Sequence, residues 1–477
     1  MRRSAISIAT PWLAAALAAL CAPGCDLEPL PAVRCDLIAC NDGNPCTVDS
    51  CNPFDGSCQF EAVVAGTVCD DGDACDGIAT CTEEGSCVST DPVDTGDGDP
   101  CTEDICDPLT GVVTHPPIEG CMVTDPGWQP LPTTGAPGPR WLHVGLWTGT
   151  EMLIWGGKPG PGAVSGDGAL YDPATDTWRP MSTTGAPAAR HSPSAVWTGT
   201  EMIVWGGFGQ SDYVTDGATY NPTTDTWTPI SSIGAPTGRT FQGTAWTGTE
   251  MVVWGGINGQ NPLGDGATYN PTTDTWTPIA PAGGPIPRLK PTATWTGTEV
   301  IVWGGTNTFD WLNTGAKLNP SAATWTAATS PQDALGVRET HTAVWTGDHI
   351  AFWGGWDGGN FENDGALYDP GADSWTPMAS TGAPSTRARH TAIWTGDAMF
   401  VWGGCAGQTC ESGYRETGGI WRPVGGAEGG WSPVVANDNL SARSDHIAVW
   451  TGSEIIIWGG FDGDELGDGA RATIEEL

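Results

Sequence analysis

A chain of 477 residues with 69 Gly, 39 Pro and 26 Trp is rich in turns and large flat side chains, and its length suits one closed repeat architecture as well as several ordinary domains. Eighteen Lys and Arg against 56 Asp and Glu leave a formal net charge of −38, whose field repels nucleic-acid phosphates and anionic lipid heads and argues against both as partners. A field of that sign also serves solubility alone.

The chain opens with Arg2 and Arg3, an apolar stretch from Ile6 to Leu20 and small residues leading to Cys21 and Cys25, the layout of an export signal over residues 1–25. The apolar stretch is shorter than a membrane span, and no later run reaches the roughly 20 residues a spanning helix needs. Ala22-Pro23-Gly24-Cys25 resembles a bacterial lipoprotein processing site in which Cys25 would be acylated; Pro23 departs from the usual pattern, and plain secretion is the alternative. A monomer is expected at the cell envelope or surface, or secreted, touching a membrane only through such an anchor. Sixteen cysteines suit that oxidising destination.

After a linker at 26–34, residues 35–122 hold twelve cysteines in three imperfect copies of one unit. The first reads Asp42-Gly43-Asn44-Pro45-Cys46-Thr47-Val48-Asp49-Ser50-Cys51 and the third Asp97-Gly98-Asp99-Pro100-Cys101-Thr102-Glu103-Asp104-Ile105-Cys106; the middle one, around Cys69, Cys75, Cys81 and Cys87, is looser. Units so poor in apolar residues need disulfide staples, their own cores being too small. The third copy has Thr95 and Val112 or Val113 where the first has Cys40 and Cys58. That joint loss suggests outer pairing with outer and inner with inner: Cys40 with Cys58, Cys46 with Cys51, Cys101 with Cys106. Zinc is disfavoured because the paired CxxC of zinc ribbons is missing. Loops such as Asp70-Asp71-Gly72-Asp73 offer carboxylates to Ca2+ but lack the ligand series of an EF-hand, so no cofactor is predicted and Ca2+ stays the alternative for this segment. In spacing, the segment resembles the Dickkopf-like or EGF-like cysteine-rich repeats of exported bacterial proteins.

Within residues 123–477 the sequence repeats every 49 or 50 residues, apart from one step of 56, a period that reads as propeller blades. In one copy Trp197-Thr198-Gly199-Thr200-Glu201-Met202-Ile203-Val204-Trp205-Gly206-Gly207 leads to Asp216-Gly217-Ala218-Thr219-Tyr220-Asn221-Pro222 and Trp227, four short apolar runs divided by turn residues. Trp columns starting at Trp147 and Trp155 have seven members each; the column starting at Trp178 has six, and Trp128, spaced from Arg140 as Trp178 is from Arg190, supplies the seventh. The expected fold is all-β: a seven-bladed propeller whose last blade is completed by an N-terminal strand, leaving no open seam. The Gly-Gly, the Tyr-Asp/Asn-Pro turn and the Trp after it, kept in register, resemble Kelch repeats and imply the Kelch propeller shared with the central domain of galactose oxidase. One blade departs, with Gly418-Gly419-Ile420-Trp421-Arg422-Pro423 in place of the tyrosine run and Cys405 and Cys410, expected to pair, in an enlarged loop.

Positions repeated seven times serve architecture, whereas a site needs unlike groups. Ligand contacts are therefore expected in the variable loops between the second and third strands, with Phe208, Tyr213, Phe309, Trp311, Trp356 and Phe361 as aromatic candidates. An arginine stands seven residues before the first Trp of every copy: Arg140, Arg190, Arg239, Arg288, Arg338, Arg387 and Arg443. Such a ring suits bidentate capture of a carboxylate or sulfate; alternatively each guanidinium pairs with a carbonyl or Asp of its own or the next blade. His143, His341, His390 and His446 share a column that serves packing or, if several converge, a metal.

The galactose oxidase resemblance implies a copper site built from a cysteine-linked tyrosine, a second tyrosine and two histidines. Here Tyr171, Tyr220, Tyr269 and Tyr368 belong to the repeat, leaving Tyr213 and Tyr414, and the two propeller cysteines are expected to pair, which argues against copper oxidation. A sugar-processing enzyme similar to periplasmic sialic acid epimerases stays open, with Asp212, Asp310, Glu362 or Glu411 as acid or base. The favoured reading is a non-catalytic binding module for an extracellular or envelope protein or glycan.

Overall fold

The computed structural model describes residues 39–70, 72–75, 79–83, 85–89, 105–114, 127–328, 331, 334–407, 410–423 and 428–474. The export signal, Cys25, the linker and Cys101 lie outside them. The chain divides into two compact units, the cysteine-rich repeats and the propeller. Among the described residues no helix is long and apolar enough to cross a membrane.

Among the described residues the cysteine-rich unit contains three hairpins: Thr47–Cys51 with Cys58–Ala62, Ala79–Cys81 with Cys87–Ser89, and Ile105–Cys106 with Val113–Thr114. Ahead of the first hairpin, Asp and Asn side chains close turns on their own backbone, Asp42 Oδ1 accepting from Asn44 N at 2.8 Å and Asn44 Oδ1 from Cys46 N at 2.9 Å. Disulfides join Cys40 to Cys58, Cys69 to Cys87, Cys46 to Cys81 and Cys75 to Cys106. The outer cysteines thus pair within a unit, while inner ones cross to the neighbouring unit. This corrects the expected Cys46–Cys51 and Cys101–Cys106 pairs. Cys46 and Cys51 bracket one extended strand, which sets them roughly 15 Å apart at about 3.3 Å per residue, far beyond the Cα separation a disulfide spans. Cys46, Cys69 and Cys81 hold their sulfurs within 4.8 Å of one another, but all three are in disulfides and offer no thiolate to a metal.

The propeller contains seven four-stranded antiparallel sheets, with strands a to d running from the axis outward. In blade 2 these are Ser194–Trp197, Met202–Trp205, Gly217–Asn221 and Thr226–Pro229. In blade 7 they are Ile447–Trp450, Glu454–Trp458 and Gly469–Thr473, with Gln129–Pro130 as strand d. The apolar run of strand b is buried in every blade, as a sheet covered on both faces requires. Each strand-b tryptophan packs against the strand-d tryptophan of the following blade: Trp155–Trp227, Trp205–Trp276, Trp254–Trp325, Trp303–Trp375 and Trp353–Trp431 have centroids 5.3–5.5 Å apart. Trp402 meets Trp128 at 6.2 Å and Trp458 meets Trp178 at 5.8 Å, so the same contact carries the ring through its closure.

Candidate functional site

All seven arginines of the repeated column are buried, none more than 1% exposed. Arg190 Nε donates to Ala188 O at 2.8 Å, Nη1 to Gly206 O and Asp216 O, and Nη2 to Asp216 Oδ1 at 2.8 Å. The other six repeat the contact to the first glycine after strand b, at 3.0–3.2 Å. Meanwhile each arginine's own carbonyl accepts from the second glycine of the preceding blade, as Gly207 N does to Arg239 O at 2.8 Å, and Gly460 N to Arg140 O at 3.0 Å closes the circle. The guanidiniums staple the b–c loop of their own blade and are spent on that task. A ligand-binding ring of Arg140, Arg190, Arg239, Arg288, Arg338, Arg387 and Arg443 is thereby corrected.

Two residues beyond each arginine the chain bends into the channel mouth. Leu142, Ser192, Phe241, Lys290, Thr340, Arg389 and Asp445 all have φ between 50° and 57°, a left-handed conformation that bulky and β-branched residues rarely adopt. Backbone hydrogen bonds hand this strain around the ring: Ser192 N to Leu142 O, Lys290 N to Phe241 O, Arg389 N to Thr340 O and Asp445 N to Arg389 O, at 2.7–3.2 Å. One backbone shape repeated seven times therefore presents seven different side chains to a cavity of about 880 Å³. Two ion pairs sit there, Lys290 Nζ with Glu339 Oε1 at 2.8 Å and Arg389 with Asp445 Oδ2 at 3.4 Å. Glu339 is 4% exposed, and Lys290 Nζ stands 5.7 Å from the Phe241 ring. The column was not singled out from sequence, although its signal is there: it is the position beside an invariant Arg at which likeness between copies disappears.

The b–c loops gather the aromatic candidates unevenly. Trp311 meets Trp356 at 5.0 Å, Trp356 meets Phe361 at 6.4 Å, and both of the latter, with Tyr414, pack on the Cys405–Cys410 disulfide. Tyr414 continues to Phe461 at 6.0 Å, Phe461 to Trp141 at 5.0 Å, and Lys158 Nζ lies 5.0 Å over Trp141. The result is a half-buried aromatic crescent running over blades 4, 5, 6, 7 and 1. Phe309 is 86% exposed in the blade-4 loop. Phe208 and Tyr213 stand apart on blade 2, edge to face at 5.0 Å, with His191 behind Phe208.

The histidine column packs between blades. His341, His390 and His446 set Nε2 at 2.9–3.2 Å from Thr292, Thr342 and Thr391 of the preceding strand a, and each meets the strand-b tryptophan before it edge-on. His143 has Ile447 where the others have threonine, and neither of its ring nitrogens has a partner among the described residues. Burial, with Arg338 or Arg140 beside the ring, pushes His341 and His143 down to about 3; burial, with the neighbouring arginine, pushes His390 and His446 well below the ordinary range. These are neutral packing groups.

Seven four-stranded blades, glycine pairs after strand b and a loop-bearing face around an axial channel define a Kelch-type β-propeller. The KLHDC2/KLHL20/DRC7 Kelch-repeats domain matches residues 122–305 and 282–416, more than half of the chain, and the chain belongs to that family. In the cysteine-rich part the Dictyostelium (slime mold) repeat matches residues 39–63 and 96–118, which replaces the Dickkopf-like or EGF-like resemblance read from spacing. Similar proteins include Protein psiB of Dictyostelium discoideum, 34% identical over 93 residues, covering 18% of this chain and 16% of that protein. Protein psiE of the same organism is 34% identical over 84 residues, covering 17% and 16%. The chain thus spans about a sixth of the length of these relatives.

Proposed function

We propose that the chain is an exported binding module whose b–c loop face recognises an extracellular or cell-envelope partner, protein or glycan. The observation that carries this reading is the division of labour between residues. Arginines, histidines and strand tryptophans are consumed by blade packing, whereas the aromatic crescent from Trp311 to Trp141 is built from loop residues that differ from blade to blade. Half-buried aromatic groups held in place by neighbours lose little entropy on binding and supply anchoring area. Kelch propellers as a fold suggest protein binding, and the disulfides suit an oxidising destination.

The test is capture from envelope extracts and on a glycan array, comparing wild type with Trp356→Ala and Phe461→Ala. A specific partner lost from both variants, with folding intact, supports the reading. A partner retained by both sinks it. A second reading, a carbohydrate-acting enzyme, draws on Glu362, whose carboxyl is raised by burial and by Asp364 nearby. Turnover of sialic acid or another sugar, abolished in Glu362→Gln, would favour it over the binder.

A further inference from the structure

We infer that the channel mouth is a second binding site, for a small zwitterion of the α-amino acid type bearing an apolar side chain, either free or as a short peptide. The inference rests on the binding-module reading but uses a different part of the face. The ring of left-handed residues splits into two arcs. Blades 1 to 3 contribute Leu142, Ser192 and Phe241, with Phe241 37% exposed. Blades 4 to 7 contribute Lys290, Thr340, Arg389 and Asp445, with Glu339 behind Lys290. Around the second arc the charges alternate in sign and sum to zero.

That alternation discriminates among ligands. A simple anion drawn to Lys290 and Arg389 would meet Glu339 and Asp445, in a chain already carrying −38. A simple cation would meet the two bases. A zwitterion laid antiparallel to the Arg389–Asp445 pair places carboxylate beside guanidinium and ammonium beside carboxylate, satisfying both at once. Arg389 has the capacity, since among the described residues one of its five N–H donors serves Asp445. The neutral arc then takes the apolar side chain, with Phe241 and Leu142 as its walls.

Two features show that the mouth is kept at a cost. Seven non-glycine residues hold φ at or above 50°, a left-handed backbone that bulky and β-branched side chains rarely adopt. Glu339 is almost fully buried beside Lys290, although desolvating such a pair is expensive and contributes little to stability. A charged pair kept buried at that cost, beside a mouth lined by unlike side chains, points to a ligand site.

The test is calorimetric titration of the full chain with L-phenylalanine, L-leucine and the dipeptide Leu-Phe. N-acetyl-L-phenylalanine and L-phenylalanine amide serve as half-charged controls, and methyl pyranosides as neutral ones. Saturable binding of a zwitterion is expected, with about ten-fold loss or more when either charge is removed from the ligand or in Arg389→Gln and Asp445→Asn. Preference for the free amino acids or for Leu-Phe separates the two sources. Should one variant misfold, the other, checked by thermal melting, carries the comparison. Equal binding of the half-charged controls, binding of pyranosides alone, or no saturable binding overturns the inference. Partner capture measured in parallel separates the two claims, because the crescent can hold its partner while the mouth fails, and the reverse.

Discussion

Replacing Arg190 by methionine keeps the aliphatic stem in its slot and deletes the guanidinium. The structure assigns four hydrogen bonds to that group, two of them on the backbone carbonyls Gly206 O and Asp216 O and one on the Asp216 carboxylate. Stranding a buried acceptor costs about 1–3 kcal/mol. Gly206 O is buried, so it loses the full amount; Asp216 has a side chain 55% exposed and recovers much of its loss through water. The expected destabilisation is roughly 2–5 kcal/mol, read from urea midpoints and thermal melting. Arg190→Lys should recover only a minor part, because a point charge cannot span the two carbonyls and the carboxylate that the planar fork reaches together. Stability within about 0.5 kcal/mol of wild type, combined with loss of a bound ligand, would refute the staple and reinstate the arginines as a recognition ring.

Gly145 and Ile447 form a compensated pair, since a Cβ on Gly145 would meet Ile447 Cγ1 at 2.6 Å. Gly145→Ala is expected to cost about 1–3 kcal/mol through overpacking. Adding Ile447→Thr should restore much of this and give His143 the hydroxyl its counterparts have; a double-mutant cycle with no coupling would contradict it. Acid should weaken the propeller in a defined window. His341 and His143, neutral in the fold with values near 3 against the ordinary 6.5, take up protons on unfolding. Below pH 6.5 the unfolded state therefore binds more protons, so each such histidine lowers stability by about 1.4 kcal/mol per pH unit down to about pH 3, with none of this effect above 6.5. Melting curves from pH 8 to 4 should show that slope, reduced in His341→Gln; a flat profile would refute the burial argument. Non-reducing peptide mapping should recover Cys46 linked to Cys81 and Cys75 linked to Cys106, with Cys46→Ser costing about 4 kcal/mol for a closed loop of 35 residues. A Cys46–Cys51 peptide would contradict the crossed arrangement.

The propeller was legible because its architecture is written seven times. Trp columns, the Gly-Gly pair and Trp128 reduce blade count and closure to spacing, and every inter-blade tryptophan contact follows from them. The site was less legible, for the reason that made the fold easy. Repetition drew attention to the arginines, whose charge looked functional until burial showed them bonded to carbonyls. The neighbouring column, Leu142 to Asp445, has no shared side chain, and its left-handed backbone leaves no compositional mark where glycine is not used. The crescent was half visible: Trp311, Trp356 and Phe361 stood out as loop aromatics, while the stacking of Trp141 on Phe461 joins residues far apart in the chain. Disulfide pairing failed at the inner cysteines because motif symmetry says nothing of how far an extended strand separates its ends.

Blade 7 draws its outer strand from Gln129–Pro130, and Asn439 donates to Trp128 O across 311 residues of sequence. Pairing so distant segments carries a loop-closure penalty that earlier contacts do not repay, so assembly should proceed blade by blade and finish with this strand. Until then Gly469–Thr473 is a bare edge, able to pair with whichever strand arrives first. Speed of closure during folding, more than the stability of the finished ring, would then decide how much of the chain escapes aggregation.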